Sequence, residues 1–216
     1  MHTRRDWLRS SLGIGGLLLA PPSILSAQEK SDFQPRSLDP FIRLSSNENP
    51  YGPSSRVQER IKNSFIHGCR YPYAYSDNLA EQLAIKHGVS PESIIITGGS
   101  TEGLRITGLT FASKGGEIIS GQPTFLAMMT YAEQWGASIN WVPVGADKGY
   151  DVDEMEKRIS SKTKLIFLCN PNNPTGTLVP AKKLVDFCDS ASKKAIVFSD
   201  EAYYDFIETP NYPSMI

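Results

Sequence analysis

The chain has 216 residues, 40% apolar and 21% charged, enough to bury a substantial core in one or two domains. Its formal net charge of -1 supplies no basic field for nucleic acid, so no nucleic-acid partner is expected. Cys69, Cys169 and Cys188 form no C-x-x-C pair and show no metal-ligand spacing with His2, His67 and His87. They read as structural thiols, and no metal site is expected.

At the amino terminus, Thr3-Arg4-Arg5-Asp6-Trp7-Leu8-Arg9 resembles a twin-arginine export signal. Residues 12–20 add a modest apolar stretch softened by glycine, ahead of Pro21-Pro22. That stretch is shorter than the ~20 apolar residues a bilayer needs, so no stable membrane span is expected. Residues 1–27 are assigned to a signal peptide cut after Ala27, with the protein periplasmic or exported by that route. The alternative is an ordinary basic amphipathic terminus.

Residues 29–40 are polar and punctuated by proline, an extended arm within an amino-terminal segment assigned to 28–60. Ser54 or Ser55 caps a helix running toward His67 and closed by Gly68. Asp77 is expected to cap a helix over 78–87 that Gly88 ends. Ile94-Ile95-Ile96 reads as a short buried strand, after which Gly98-Gly99 turns the chain into a helix over 101–112. Next come a strand over 117–120, a helix over 123–135 ended by Gly136, and a strand over 140–144. Asp151-Val152-Asp153-Glu154 opens a short helix. Lys164-Leu165-Ile166-Phe167-Leu168 and Ala195-Ile196-Val197-Phe198 read as strands buried on both faces, joined by a helix over 180–191 with proline in its first turn. The alternation predicts an α/β three-layer sandwich around a mainly parallel sheet, over 61–216.

Ligands of such sheets sit at the carboxyl ends of the strands. There, Asn172-Asn173-Pro174-Thr175-Gly176 and Ser199-Asp200-Glu201-Ala202-Tyr203 offer an amide, a carboxylate and a phenol, a trio suited to a protonated aromatic heterocycle. The turn before the helix at Ser100, Thr101 and Glu102 is suited to phosphate. Its first amides lack internal partners, and the peptide dipoles place about half a positive charge there. A capped helix with Glu102 favoured by the dipole is the simpler alternative for that segment. For Asp200 the simpler alternative is a strand-end turn residue.

Together with Ser46-Asn47-Glu48-Asn49-Pro50-Tyr51-Gly52-Pro53, Arg70-Tyr71-Pro72 and Thr97-Gly98-Gly99-Ser100-Thr101-Glu102-Gly103, these motifs carry a resemblance over about 44–206. The chain resembles the pyridoxal-phosphate (PLP) aminotransferases of the aspartate aminotransferase superfamily, most closely the histidinol-phosphate aminotransferase branch. The resemblance implies PLP as cofactor, with its phosphate on Ser100, Thr101 and Glu102 and its ring against Phe125, where the branch commonly has tyrosine; by itself an aromatic in that apolar helix reads as core. It also implies Asp200 at the ring nitrogen, and Asn173 and Tyr203 at the phenolic oxygen. Tyr71 would reach the phosphate of a second subunit, making a homodimer, and Asn47, Asn49 and Tyr51 would belong to a substrate-recognition segment. For Asn49 and Tyr51 a turn rich in proline and asparagine is the alternative.

The implied activity moves an amino group from an amino acid or amino-alcohol phosphate to a 2-oxo acid, so the expected partners are these small molecules. A PLP-dependent decarboxylase or lyase of the same superfamily, or a non-catalytic remnant, is the alternative. The resemblance places the Schiff-base lysine on a Ser-x-x-Lys segment beyond the Asp-Glu-Ala-Tyr motif, and the chain reaches Ile216 first. No catalytic residue is therefore assigned. Lys182, Lys183, Lys193 and Lys194 lie on or beside the helix between the two site-forming strands and read as a solvated face. The expectation is an incomplete PLP-binding large domain, poorly soluble and without transaminase turnover by itself.

Overall fold

The computed structural model describes residues 44–216, and the export-signal and arm segments assigned above lie outside them. It has two compact units, one ending at Cys69 and one spanning Arg70–Ile216. In the first unit, helix α1 (Ser55–Ser64) begins where the Ser54 hydroxyl accepts the Val57 amide at 3.4 Å, which confirms the expected cap. A 3-10 turn (Phe65–His67) follows and ends at Gly68.

In the second unit, α2 (Tyr73–His87) starts earlier than the sequence suggests. The Pro72 carbonyl accepts the amides of Tyr75 and Ser76, both at 2.9 Å, so the first turn closes on Pro72 and Asp77 lies inside the helix rather than capping it. Gly88 ends it at φ +68°, as expected. The larger correction concerns Ile94, Ile95 and Ile96. The backbone is extended at Ile94 (φ -107°, ψ 128°), yet the segment forms no strand, and Ile95 is 82% exposed. A β-branched run supplies the extended conformation, but a strand also needs a ladder partner, and none of the four described strands pairs with it.

The remaining elements follow in order: α3 (Ser100–Ala112), β1 (Glu117–Gln122), α4 (Ala127–Glu133), β2 (Ser138–Pro143) and α5 (Val152–Lys157). Then come β3 (Thr163–Cys169), α6 (Ala181–Ala191), β4 (Ile196–Asp200) and a 3-10 turn at Tyr204–Phe206. The helix expected over 123–135 is shorter, because residues 123–126 form a bend and a short loop before α4 and Phe125 stands in that loop. Asp151 caps α5 by accepting the Glu154 amide at 2.9 Å.

The strands form one sheet in the order β2-β1-β3-β4, and every pairing is parallel. Side chains alternate across it. Ile118, Leu165 and Phe167 pack with Leu104 and Ala112 of α3 and with Met128, Met129 and Ala132 of α4. Ile119, Ile166 and Leu168 face the other way, toward Val152 and Met155 of α5 and Leu184, Phe187 and Ala191 of α6. The result is the expected three-layer α/β sandwich, with β3 buried along both faces at its centre, whereas β4, last in the strand order, lacks the two-sided burial expected of it and leaves Ile196 exposed.

This placement separates two isoleucines that look alike in sequence. Ile118→Ala should cost the chain about 2–5 kcal/mol, whereas Ile95→Ala should stay within about 0.5 kcal/mol in denaturant titrations. Comparable losses at both positions would contradict the exposed placement of Ile95.

Candidate active site

Three neighbouring strands deliver functional groups at their carboxyl ends. Phe125 follows β1, Asn173 follows β3, and Asp200 is the last residue of β4. The ladder pairs Cys169 with Asp200 and extends one step further, the Asn170 amide donating to the Asp200 carbonyl at 2.9 Å. Asp200 is only 8% exposed. Its Oδ1 accepts the Ala202 amide at 3.2 Å, and none of the ion pairs among the described residues includes it.

Burial pushes the Asp200 carboxyl above its ordinary value, and the Ala202 amide only partly opposes that. Relative to the unfolded chain, the fold therefore makes the carboxyl harder to ionise. The associated stability is present below the unfolded carboxyl's pKa and is lost as pH rises through the raised folded value. A cation held against the carboxylate would offset this cost.

Asp200 shares a cavity of about 440 Å³ with Ser100, Thr97, Gly103 and Leu104 from α3 and its approach, and with Phe198 of β4. The cavity thus joins a buried carboxylate to the amino-terminal end of α3. Gly99 enters that helix at φ +100°, a conformation open to glycine, and no side chain caps the helix there. Glu102 turns back instead. Its carboxylate accepts the Gly98 amide, while its own amide goes to the Gly99 carbonyl at 3.2 Å. Dipole and uncapped turn favour an anion, and Asp200 favours a cation, so the donor set fits one ligand carrying both.

Phe125 and Asn173 line a second cavity of about 540 Å³ with Arg105, Tyr131 and Pro174. The Arg105 guanidinium lies over the Tyr131 ring, 5.6 Å from its centroid. Between β1 and β3 runs a polar network that sequence reasoning missed. The Tyr150 hydroxyl meets Thr124 Oγ1 at 2.5 Å and donates to Asn172 Oδ1 at 2.9 Å. Asn172 Nδ2 donates to the Pro123 carbonyl at 3.0 Å and to Thr175 Oγ1 at 2.8 Å. A companion cluster ties Asn170 Nδ2 to the Tyr212 hydroxyl at 2.8 Å, while Asn170 Oδ1 accepts the Val179 amide at 3.0 Å. Asn172 stands in the quoted motif and Asn170 two residues before it, but nothing in the sequence joins them to Thr124, Tyr150 or Tyr212.

The site residues expected from sequence are thus distributed rather than gathered. Ser100 and Asp200 share one cavity and Phe125 and Asn173 the other, while Thr101, Glu102 and Tyr203 line neither. The Tyr203 ring lies 6.4 Å from that of Phe206. Tyr71 is 82% exposed and stacks on Tyr73 at 5.5 Å. In the first unit, Asn49 Oδ1 accepts the Tyr51 amide at 3.0 Å and Asn49 Nδ2 donates to the Gly52 carbonyl at 3.2 Å, an Asx-type turn next to the left-handed Asn47 (φ 51°). Lys182, Lys183, Lys193 and Lys194 are exposed and face Asp186, Asp153, Asp189 and Glu156, the solvated face expected of them. Burial pushes the Cys169 and Cys188 thiols up to about 11, which keeps both protonated at neutral pH, in keeping with structural thiols.

A family model described as aminotransferase class I and II matches residues 39–215. Histidinol-phosphate aminotransferase 1 of Bacillus cereus is 35% identical over 179 residues, which cover 83% of this chain and 48% of that protein. The histidinol-phosphate aminotransferase of Caldicellulosiruptor saccharolyticus is 36% identical over 179 residues, 83% of this chain and 50% of its own. A solved histidinol-phosphate aminotransferase from Sinorhizobium meliloti, in complex with pyridoxal-5'-phosphate, is 22% identical with a TM-score of 0.69 and shares the fold over 84% of this chain and 53% of its own. The chain spans about half the length of the curated relatives it matches. The parallel sheet, the motifs at its strand ends and these matches agree: the chain belongs to the class I and II aminotransferase family.

Proposed function

We propose that the complete protein is a PLP-dependent aminotransferase similar to the histidinol-phosphate aminotransferases, moving an amino group from an amino acid or amino-alcohol phosphate to a 2-oxo acid. One observation carries this reading: a single cavity holds Ser100 at the uncapped start of α3 and the buried carboxylate of Asp200. When bound, PLP supplies an electron sink that stabilises negative charge at the substrate Cα.

The roles of the residues follow from their chemistry. The amides and hydroxyls at Ser100 and Thr101 hold the phosphate, and the α3 dipole favours its charge. Asp200 keeps a proton on the ring nitrogen, because a carboxylate desolvated by burial is stabilised by a cation placed against it. Phe125 supports the ring face by stacking, and Asn173 and Tyr203 hydrogen-bond the phenolic oxygen. Asn47, Asn49 and Tyr51 serve substrate recognition. The exposure of Tyr71 supports a role at the phosphate of a second copy, which makes the complete protein a homodimer.

The twin-arginine resemblance at Arg4-Arg5 supports export of the folded protein to the periplasm. Fractionation of cells expressing the complete protein tests this: Arg4→Lys with Arg5→Lys should retain it in the cytoplasm. Periplasmic recovery of that double variant at the wild-type level would overturn the assignment.

The cofactor roles separate in the complete protein. Ser100→Ala and Thr101→Ala should each weaken PLP binding by about 1.5–3 kcal/mol, the worth of a charge-assisted hydrogen bond. Asp200→Ala should instead slow substrate Cα proton removal in single-turnover exchange far more than it alters binding of inorganic phosphate. Equal losses of binding in all three variants, with no separate chemical defect at Asp200, would sink this division of roles.

A further inference from the structure

Tyr150 takes no part in the chemistry above, yet it sits where the β1 and β3 connections diverge. Its hydroxyl has one hydrogen, and the geometry directs that hydrogen to Asn172 Oδ1. Thr124 must then donate to Tyr150, and the Cys169 amide approaches the same oxygen at 3.4 Å. Asn172 spends its two amide hydrogens on the Pro123 carbonyl and on Thr175 Oγ1. Thr175 is left to donate to Thr177 Oγ1 at 2.7 Å, and Thr177 donates to the Lys148 carbonyl at 2.9 Å. Every donor direction in the chain from Thr124 to Lys148 is therefore fixed.

The relay clamps two backbone segments from both sides. Pro123 and Thr124 leave β1, Asn172 leaves β3, and the bonds join positions 49 residues apart. Thr124 and Asn172 are nearly inaccessible to solvent. Phe125 and Asn173 are their immediate chain neighbours, and both face the same cavity. The backbone makes room for the tyrosine at a defined place: a Cβ on Gly121 would lie 2.0 Å from Cδ1 and Cε1 of the Tyr150 ring. Burial holds the phenol above its ordinary pKa, so it remains a donor throughout the neutral range.

We propose that Tyr150 is a positioning residue for the cofactor crevice, fixing the separation of Phe125 and Asn173 through its bonds to Thr124 and Asn172. This rests on the reading that Phe125 and Asn173 contact the cofactor ring.

The test uses the complete protein and two probes, pyridoxine 5'-phosphate, which carries the ring but needs no lysine, and inorganic phosphate. Wild-type binding of pyridoxine phosphate, followed by near-ultraviolet absorbance, tests the cofactor reading itself; no binding would overturn that reading and this proposal with it. Given wild-type binding, Tyr150→Phe should weaken pyridoxine phosphate about tenfold, the scale of one lost buried hydrogen bond. Its affinity for inorganic phosphate should not change, and the pH titration of the bound ring should move toward that of free ligand. Thr124→Val removes the neighbouring hydroxyl without touching the aromatic ring and should give the same pattern. Wild-type affinity and titration in both variants, or equal weakening of both probes, would overturn the proposal.

Discussion

The chain leaves β1 in one direction across the sheet and re-enters on its other side at β3, and the rest of the site depends on that reversal. In the order β2-β1-β3-β4, α4 covers one face of the sheet while α5 and α6 cover the other. The connections after β1 and β3 therefore part, leaving a crevice at the carboxyl ends of the central strands. Polar groups buried there must satisfy one another. The relay through Thr124, Tyr150 and Asn172 does so, and it also fixes where Phe125 and Asn173 begin. Gly121 belongs to the same constraint, since the space its missing Cβ would occupy is filled by the Tyr150 ring.

Two groups near this crevice are arranged at some cost to the stability of the fold. Asp200 is buried with one amide for company, and its ionisation is disfavoured there. The start of α3 has no side-chain cap, and Glu102 serves the Gly98 amide. A ligand with phosphate at one end and a protonated ring nitrogen at the other would relieve both conditions at once. Residues shaped for stability alone would place a capping hydroxyl before α3 and an uncharged side chain at position 200.

Much of this was legible in the sequence because it depends on local pattern. Apolar runs ending in polar motifs located Asn173 and Asp200 at strand ends, and Gly98-Gly99 located the start of α3. Local pattern failed where the outcome depends on distant partners. Ile94, Ile95 and Ile96 carry a strand's composition without a neighbour to pair with, and Asp77 competes with a helix start already supplied by Pro72. Tyr150 meets Thr124 across 26 residues and Asn172 across 22, and a tyrosine in a loop carries no local sign of such bonds. The two cavities were equally hidden, because they depend on how α3 and α4 pack on the sheet.

In the proposed function, the start of α3, Asp200 and the Phe125–Asn173 pair serve one cofactor. A crystal structure of the complete protein with bound PLP measures this directly. Phosphate oxygens are expected within hydrogen-bond distance of Ser100 and Thr101, the ring nitrogen beside Asp200, the ring face on Phe125 and Tyr71 of a second copy at the phosphate. A cofactor bound with its phosphate away from α3, or with its ring nitrogen remote from Asp200, would contradict it.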